Sequence, residues 1–324
     1  MKQAPSRIVP LLIERIWGRS DLSESGWIDT ARTLASQPIG EAWLTDVRCR
    51  LENGEALGAM MKRCDHGQPV PPLLAKLLFT AAPLSVQVHP TDAAARAAGT
   101  FASGKDEAWH VLETAPEASV WIGLRQRVTR GTLRAAAEDG SVLALLRQHA
   151  VRLGETILIP AGTVHAIGAG VVLLEVQDPV DITYRLYDYG RLRPLQLEAA
   201  LAVADLGPSR AVVDPAPGTA VSRRTLARAK RFVLERCEVA AGFTLKPDGS
   251  RYHILVALAA GATLDGEPLP PAAAVFVPAT GRAARVAGEP GSAVALLHSG
   301  PGPSPCLLAG RAARPSRQAD WPPA

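Results

Sequence analysis

Two short segments, Ser85-Val86-Gln87-Val88-His89-Pro90 and Pro160-Ala161-Gly162-Thr163-Val164-His165, put metal-competent side chains where a strand ends or turns. Strand alternation sends Ser85, Gln87 and His89 to one face and Leu84, Val86 and Val88 to the other, which sketches one wall of a polar site. A third segment, Gly104-Lys105-Asp106-Glu107-Ala108-Trp109-His110-Val111-Leu112, alternates in the same way and sets Lys105 on the face of Glu107. In Ile182 to Tyr187 the alternation turns Arg185 away from Tyr184 and Leu186, so it can face a pocket while they pack.

The elements that must carry these residues read as mainly β. The 28 Gly and 27 Pro among 324 residues are scattered, which marks many turns between short strands and argues against long helices. Aromatics are few, so the core is aliphatic, and the length suits one large or two ordinary all-β domains, two being favoured. From Ile8 to Val47 the pattern is a strand, a polar irregular stretch holding Trp17-Gly18 and Trp27, and a return to a strand at Ile39. The apolar run Pro71 to Leu78 fits either a strand or a helical turn. Thr91 is an N-cap for a short helix over 92–98 with Gly99 as its stop. Residues 129–150 form the best helical stretch, broken in two by Gly140, and look like an insertion; 194–204 is a further helical segment. Residues 206–220, with Pro208, Pro215 and Pro217, read as a linker. Short strands follow at the spacing of a small sandwich over 221–300, where His253 and His298 stand alone among apolar residues, and a loosely ordered tail covers 301–324.

Bulk properties narrow the functional classes. The net charge of +4 comes from dispersed Lys and Arg with no basic helix interleaved with aromatics, so no nucleic-acid partner is expected. Neither a signal segment nor a membrane span fits, because the apolar run Val9 to Ile13 is cut short by Glu14 and Arg15. Cys49, Cys64, Cys237 and Cys306 form no C-x-x-C pair, which favours a reducing compartment. The expectation is a cytoplasmic protein, a monomer or weak homodimer, acting on a small molecule.

The order Gly154-x5-Pro160-x-Gly162-x2-His165 resembles the second motif of the cupin jelly rolls. Their first motif carries His-x-His, whereas this chain has Gln87-Val88-His89, with Glu107 farther along (107 − 89 = 18). Gln-Val-His-Pro after a strand, Gly-Lys-Asp-Glu before one, and the string from Pro160 through Tyr184-Arg185 to Arg191 together resemble type I mannose-6-phosphate isomerases. Trp17-Gly18, Ile39-Gly40-Glu41-Ala42-Trp43 and Arg193-Pro194-Leu195 extend the resemblance, dense over 8–205 and loose beyond.

That resemblance implies a cupin-type jelly-roll catalytic domain over 1–205 with its helical insertion, and a cupin-like β-sandwich over 221–300. It makes Gln87, His89, Glu107 and His165 the ligands of one zinc ion per chain, in keeping with the imidazole and carboxylate donors zinc accepts. Manganese or cobalt would tolerate the same oxygens. Ser85 and Lys105 would help hold the sugar phosphate, with Asp181 and Arg191 also at the substrate, and Arg185 would be the active-site arginine. Glu175 matches a carboxylate position for proton transfer, metal-bound water being the rival base. The implied activity is interconversion of mannose 6-phosphate and fructose 6-phosphate through a cis-enediol. A sugar-sensing cupin without catalysis and a cupin oxygenase or decarboxylase are the alternatives; the missing His-x-His pair disfavours the second.

Overall fold

The structure is a computed structural model that describes residues 3–22, 26–27, 37–64, 71–99, 103–215, 223–300 and 302–309. The chain is mainly β and divides into two compact units. One comprises Ile16–Arg19 and Leu78–Ala216; the other comprises Met1–Arg15, Ser20–Leu77 and Pro217–Ala324. The division is therefore not the single cut near 206–220 that the sequence suggests. The strand Ser6–Val9 pairs with Ala274–Val277 on one side and Arg50–Leu51 on the other, partners that a local pattern cannot reveal.

In the first unit, the antiparallel strands Val212–Asp214, Thr156–Ile159, Glu107–Thr114 and Val171–Gln177 are neighbours in that order in one sheet. A second sheet runs Tyr184–Tyr187, Val86–Val88, His165–Ile167, Ser119–Leu124, Leu146–Ala150. Trp109, Val111, Ile157, Ile159 and Leu173 of one sheet and Val120, Ile122 and Ile167 of the other share a single buried cluster, the core of a β-sandwich. On the far side of the second sheet, Val86, Val88, Val164, Ala166 and Leu186 pack on Leu133, Ala136 and Ala137 of one helix and Ala200 and Leu201 of another. This packing sets which way the polar residues point. A slip of one residue would unbury Val86 and Val88, forfeiting roughly 3 kcal/mol or more, and would drive Gln87 into the apolar layer.

Several elements differ from the sequence reading. Thr129 does cap a helix, Arg130–Asp139, that ends at Gly140, and Val142–Leu145 follows. Leu146–Ala150, however, is a strand paired with Ser119–Leu124, because an available sheet edge outweighs local helix propensity. Trp17-Gly18 lies within the strand Leu11–Arg19, with Trp17 buried in the core. The expected linker contains Val212–Asp214, which pairs with Thr156–Leu158, and Leu74–Phe79 is a strand. Within the expected tail, Leu307–Ala309 pairs with Phe243–Leu245; residues beyond 309 lie outside the described residues.

The second unit has its own pair of sheets and an aliphatic core built on Val239, Leu245, Leu255, Val275, Val286 and Leu296. His253 and His298 do not stand alone in it. Their ring centroids are 5.3 Å apart, His298 Nε2 lies 3.0 Å from Glu235 Oε1, and His253 Nε2 lies 2.7 Å from Ser304 Oγ. Arg223 donates to Glu235 Oε2 at 2.6 Å and to the Ser304 carbonyl at 2.6 Å, and the Ser304 N–H donates to Glu235 Oε1 at 2.8 Å. The row clamps the segment that leads into the last described strand.

Burial, then the His298 charge, pushes His253 down from 6.5 to about 3. For Glu235, burial opposes the charge, but bonds from His298 and Arg223 outweigh it and bring the carboxyl down to about 2. Folding thus disfavours a proton on His253, so stability is full above 6.5 and is lost as pH falls toward 3. The Glu235 contribution, present above 4.5, is lost only as pH falls through about 2. Thermal unfolding from pH 7 to 3 should therefore show a falling midpoint. His253→Gln, unable to take up a proton, should remove about one proton from the slope; an unchanged slope would exclude His253 from the acid response.

Candidate active site

The sandwich interior of the first unit gathers residues from both sheets. His165 stands opposite Gln87 in register, and Arg185 stands opposite Gln87 on its other side, so the three form a row across neighbouring strands. From the facing sheet come Glu107 and, on the adjacent strand, Glu175, which pairs in register with Trp109, two residues along from Glu107. His89 Nε2 lies 3.1 Å from Glu107 Oε2, and His165 Nε2 lies 3.2 Å from Glu107 Oε1. All three side chains are buried, and their ligating atoms fall within 4.8 Å of one another. Gln87 Nε2 is 3.2 Å from His165 Nε2, and Ser85 Oγ donates to Gln87 Oε1 at 3.3 Å.

Lys105 belongs to the same cluster. Its ammonium lies 2.7 Å from Glu107 Oε2, 3.3 Å from His89 Nε2 and 4.0 Å from Glu175 Oε1. Burial opposes its charge, yet Glu107, Glu175 and Asp181 together hold its pKa above the usual lysine value. Burial likewise opposes the Glu107 charge, and Lys105 with the two imidazoles holds that carboxyl well below the usual range. His89 is pushed down to about 3, first by burial and then by Lys105, and burial lowers His165 too. Both imidazoles are therefore neutral, with lone pairs to offer. In His165 the Nδ1–H donates to the Thr163 carbonyl at 2.8 Å, which leaves the Nε2 lone pair facing Glu107.

The site residues of the sequence reading are thus largely brought together: Ser85, Gln87, His89, Lys105, Glu107, His165 and Glu175 form one contiguous group. Arg185 joins through its register with Gln87, while its backbone N–H and guanidinium reach Gln196 Oε1 at 3.1 and 3.5 Å. Asp181 is exposed and acts on Lys105 through its charge. Arg191 is held elsewhere: its guanidinium donates to Asp188 Oδ1 at 2.6 Å and to the Asp188 carbonyl at 3.1 Å, and lies over the Tyr189 ring.

Some supporting residues escaped the sequence reading. The Trp109 indole N–H donates to Glu175 Oε2 at 3.2 Å, and its ring meets the His165 ring edge-on at 5.4 Å. The signal was present, since Trp109 shares a strand face with Glu107. Asp106 Oδ1 accepts the Ala161 N–H at 2.8 Å and Gly162 N–H donates to the His89 carbonyl at 2.8 Å, joining the two motif corners. Gly162 has φ +89°, a conformation that suits glycine. Gln196 left no motif of its own.

Among the described residues, no helix is long and apolar enough to cross a membrane. A cupin-type sandwich whose interior holds a buried His–Glu–His group, able to take a metal ion, defines the class of this protein. No family model matches the chain. It is 34% identical over 225 residues to the mannose-6-phosphate isomerase ManA of Bacillus subtilis, covering 64% of this chain and 70% of that one. It is 31% identical over 214 residues to the mannose-6-phosphate isomerase of Streptococcus mutans, covering 60% and 66%. Among solved structures, mannose 6-phosphate isomerase from Bacillus subtilis aligns with TM-score 0.74 at 23% identity, over 91% of this chain and 100% of that one. A variant of phosphomannose isomerase from Salmonella typhimurium aligns with TM-score 0.72 at 17% identity, over 91% and 99%. The chain belongs to the mannose-6-phosphate isomerase family, of type I.

Close backbone approach at Gly104 offers a local test. A Cβ there would meet Pro90 O at 2.5 Å, Thr91 C at 2.5 Å and Asp92 N at 2.6 Å, all main-chain atoms. The Gly104 N–H donates to Asp92 Oδ1 at 2.8 Å and the Lys105 N–H to the Pro90 carbonyl at 3.1 Å, so this contact aims Lys105. Gly104→Ala should cost roughly 1–3 kcal/mol in denaturant unfolding; wild-type stability would show that the loop yields freely.

Proposed function

We propose that this protein is an aldose–ketose isomerase that interconverts mannose 6-phosphate and fructose 6-phosphate, with its chemistry in the Gln87–His89–Glu107–His165 cluster. The single observation that carries the reading is the buried group of His89, Glu107 and His165, with Lys105 and Glu175 packed against it.

The residues fit a metal ion. Two neutral imidazoles and one carboxylate meet at 3.1 and 3.2 Å, close to the separation of about 3.3 Å between ligands of a tetrahedral zinc site. Neither Glu107 oxygen receives a well-directed hydrogen bond, which leaves lone pairs for a cation. The Gln87 amide, turned over, would offer its carbonyl oxygen as a fourth donor. Zinc held there would supply Lewis acidity to the carbonyl and hydroxyl oxygens of the sugar.

The chain's own groups account for the movement of the carbon-bound proton. Isomerisation carries the C2 proton to C1 through the cis-enediol while the O2 proton passes to O1. Glu175, buried and held by the Trp109 N–H, is the base that takes the C2 proton and returns it to C1. Arg185 supplies positive charge where the enediolate forms, an effect worth about 3–4 kcal/mol per donor in comparable sites. Lys105, expected to help hold the phosphate, has its ammonium against Glu107 and near Glu175, which favours a role at the reacting end. Ser85 orients the Gln87 amide, Asp181 bears on the site through its charge on Lys105, and Arg191 is engaged by Asp188. Four buried free cysteines accord with a cytoplasmic location.

A coupled assay with mannose 6-phosphate, run before and after chelation and with metal added back, should show activity that is lost and regained. A pure, metal-loaded protein that binds the sugar without converting it would instead mark a sensor. Glu175→Gln should slow isomerisation about 10²–10⁴-fold while retaining bound metal; near-normal turnover would remove Glu175 as the base. Lys105→Ala should impair phosphorylated and unphosphorylated sugars alike if it serves the reacting end. A loss confined to the phosphorylated sugar would return it to the phosphate.

A further inference from the structure

Arg185 sits in the strand Tyr184–Tyr187 at the edge of its sheet, paired with Val86–Val88 on one side only. The register shifts directly beyond it, between Arg185 and Tyr187, so the ladder alone does not aim its side chain. One residue takes up the outward edge. The Gln196 N–H donates to the Arg185 carbonyl at 3.0 Å, and Gln196 Oε1 accepts the Arg185 N–H at 3.1 Å. The same oxygen lies 3.5 Å from the Arg185 guanidinium Nη1. Gln196 thus replaces a missing neighbour strand with its own N–H and a side-chain carbonyl, and it touches the head group as well.

Its place in the chain makes this notable. Gln196 is the residue before the helix Leu197–Val203, the position where Ser, Thr, Asp or Asn satisfies the first helical N–H groups, and it makes no side-chain cap. A local rule is broken here and the side chain is spent on Arg185 instead. The loop that delivers it is fixed, since Asp188, 2% exposed, binds the guanidinium groups of both Arg191 and Arg193.

We infer that Gln196 is a positioning residue for the isomerisation, acting through Arg185. The inference rests on the role given to Arg185 above. It also gives Arg191 and Arg193 a use, as the clasp that closes the loop.

Gln196→Ser separates the two roles, because serine is a better helix cap and too short to reach Arg185. Expected is a melting temperature held or raised, kcat on mannose 6-phosphate lowered about 10- to 100-fold, and KM changed far less. In an Arg185→Lys background the same change should have little further effect on kcat, as coupled residues require. Wild-type kcat in Gln196→Ser, or a full multiplicative loss in the double variant, would overturn the inference. If Arg185→Lys alone leaves kcat unchanged, the role of Arg185 fails and the inference falls with it.

Discussion

A carboxylate with no exposed surface, Glu107, is the constraint around which the first unit is organised. An isolated charge at such depth is untenable, costing several kcal/mol even after relaxation, so its neighbours must neutralise it. Lys105 does so as a full charge at 2.7 Å, and the imidazoles of His89 and His165 offer neutral nitrogens. A divalent ion would meet the same need more completely, and the group of His89, Glu107 and His165 could hold one. The tension between burial and charge also holds the imidazoles neutral, the form in which nitrogen ligates.

Packing delivers these groups to one place. The valines at 86 and 88 commit one face of their strand to the helices, so Gln87 has no choice but the interior. The contact between Gly104 and the main chain of Pro90 and Thr91 brings Lys105 beside His89. Asp106, pointing away from the cluster, fastens the Pro160–Gly162 corner and with it His165. Gln87, Lys105 and His165 are therefore each positioned by a residue whose own side chain or backbone is engaged elsewhere, the arrangement that a preorganised site requires.

The second unit shows the same residue types used differently. Ser304 there engages its N–H, hydroxyl and carbonyl with Glu235, His253 and Arg223, and Glu235 accepts from three donors. Charge and hydrogen bonds are consumed within the row, with only His253 Nδ1 left over among its imidazole and carboxylate atoms. Around Glu107 neither carboxylate oxygen receives a well-directed hydrogen bond, and the Lys105 ammonium at 2.7 Å answers its charge. Saturation in one cluster and availability in the other separate a structural role from a chemical one, although both are made of histidine and glutamate.

Much of the site was legible before any coordinates. Strand alternation assigns Gln87 and His89 to one face and Lys105 and Glu107 to another, and glycine and proline mark the corners, because these are local consequences of backbone geometry. Four things were not legible. Leu146–Ala150 became a strand because an edge was waiting for it, Ser6–Val9 joined a sheet made by the far end of the chain, and His253 met His298 across paired strands. Gln196 carried no motif because its partner is the edge of a strand. Residue type and two-residue periodicity determine which chemistry is on offer and which way it faces. Only tertiary pairing decides which strands meet, since the free energy of contacts between distant segments has no local signature, and that meeting turns four separate side chains into one site.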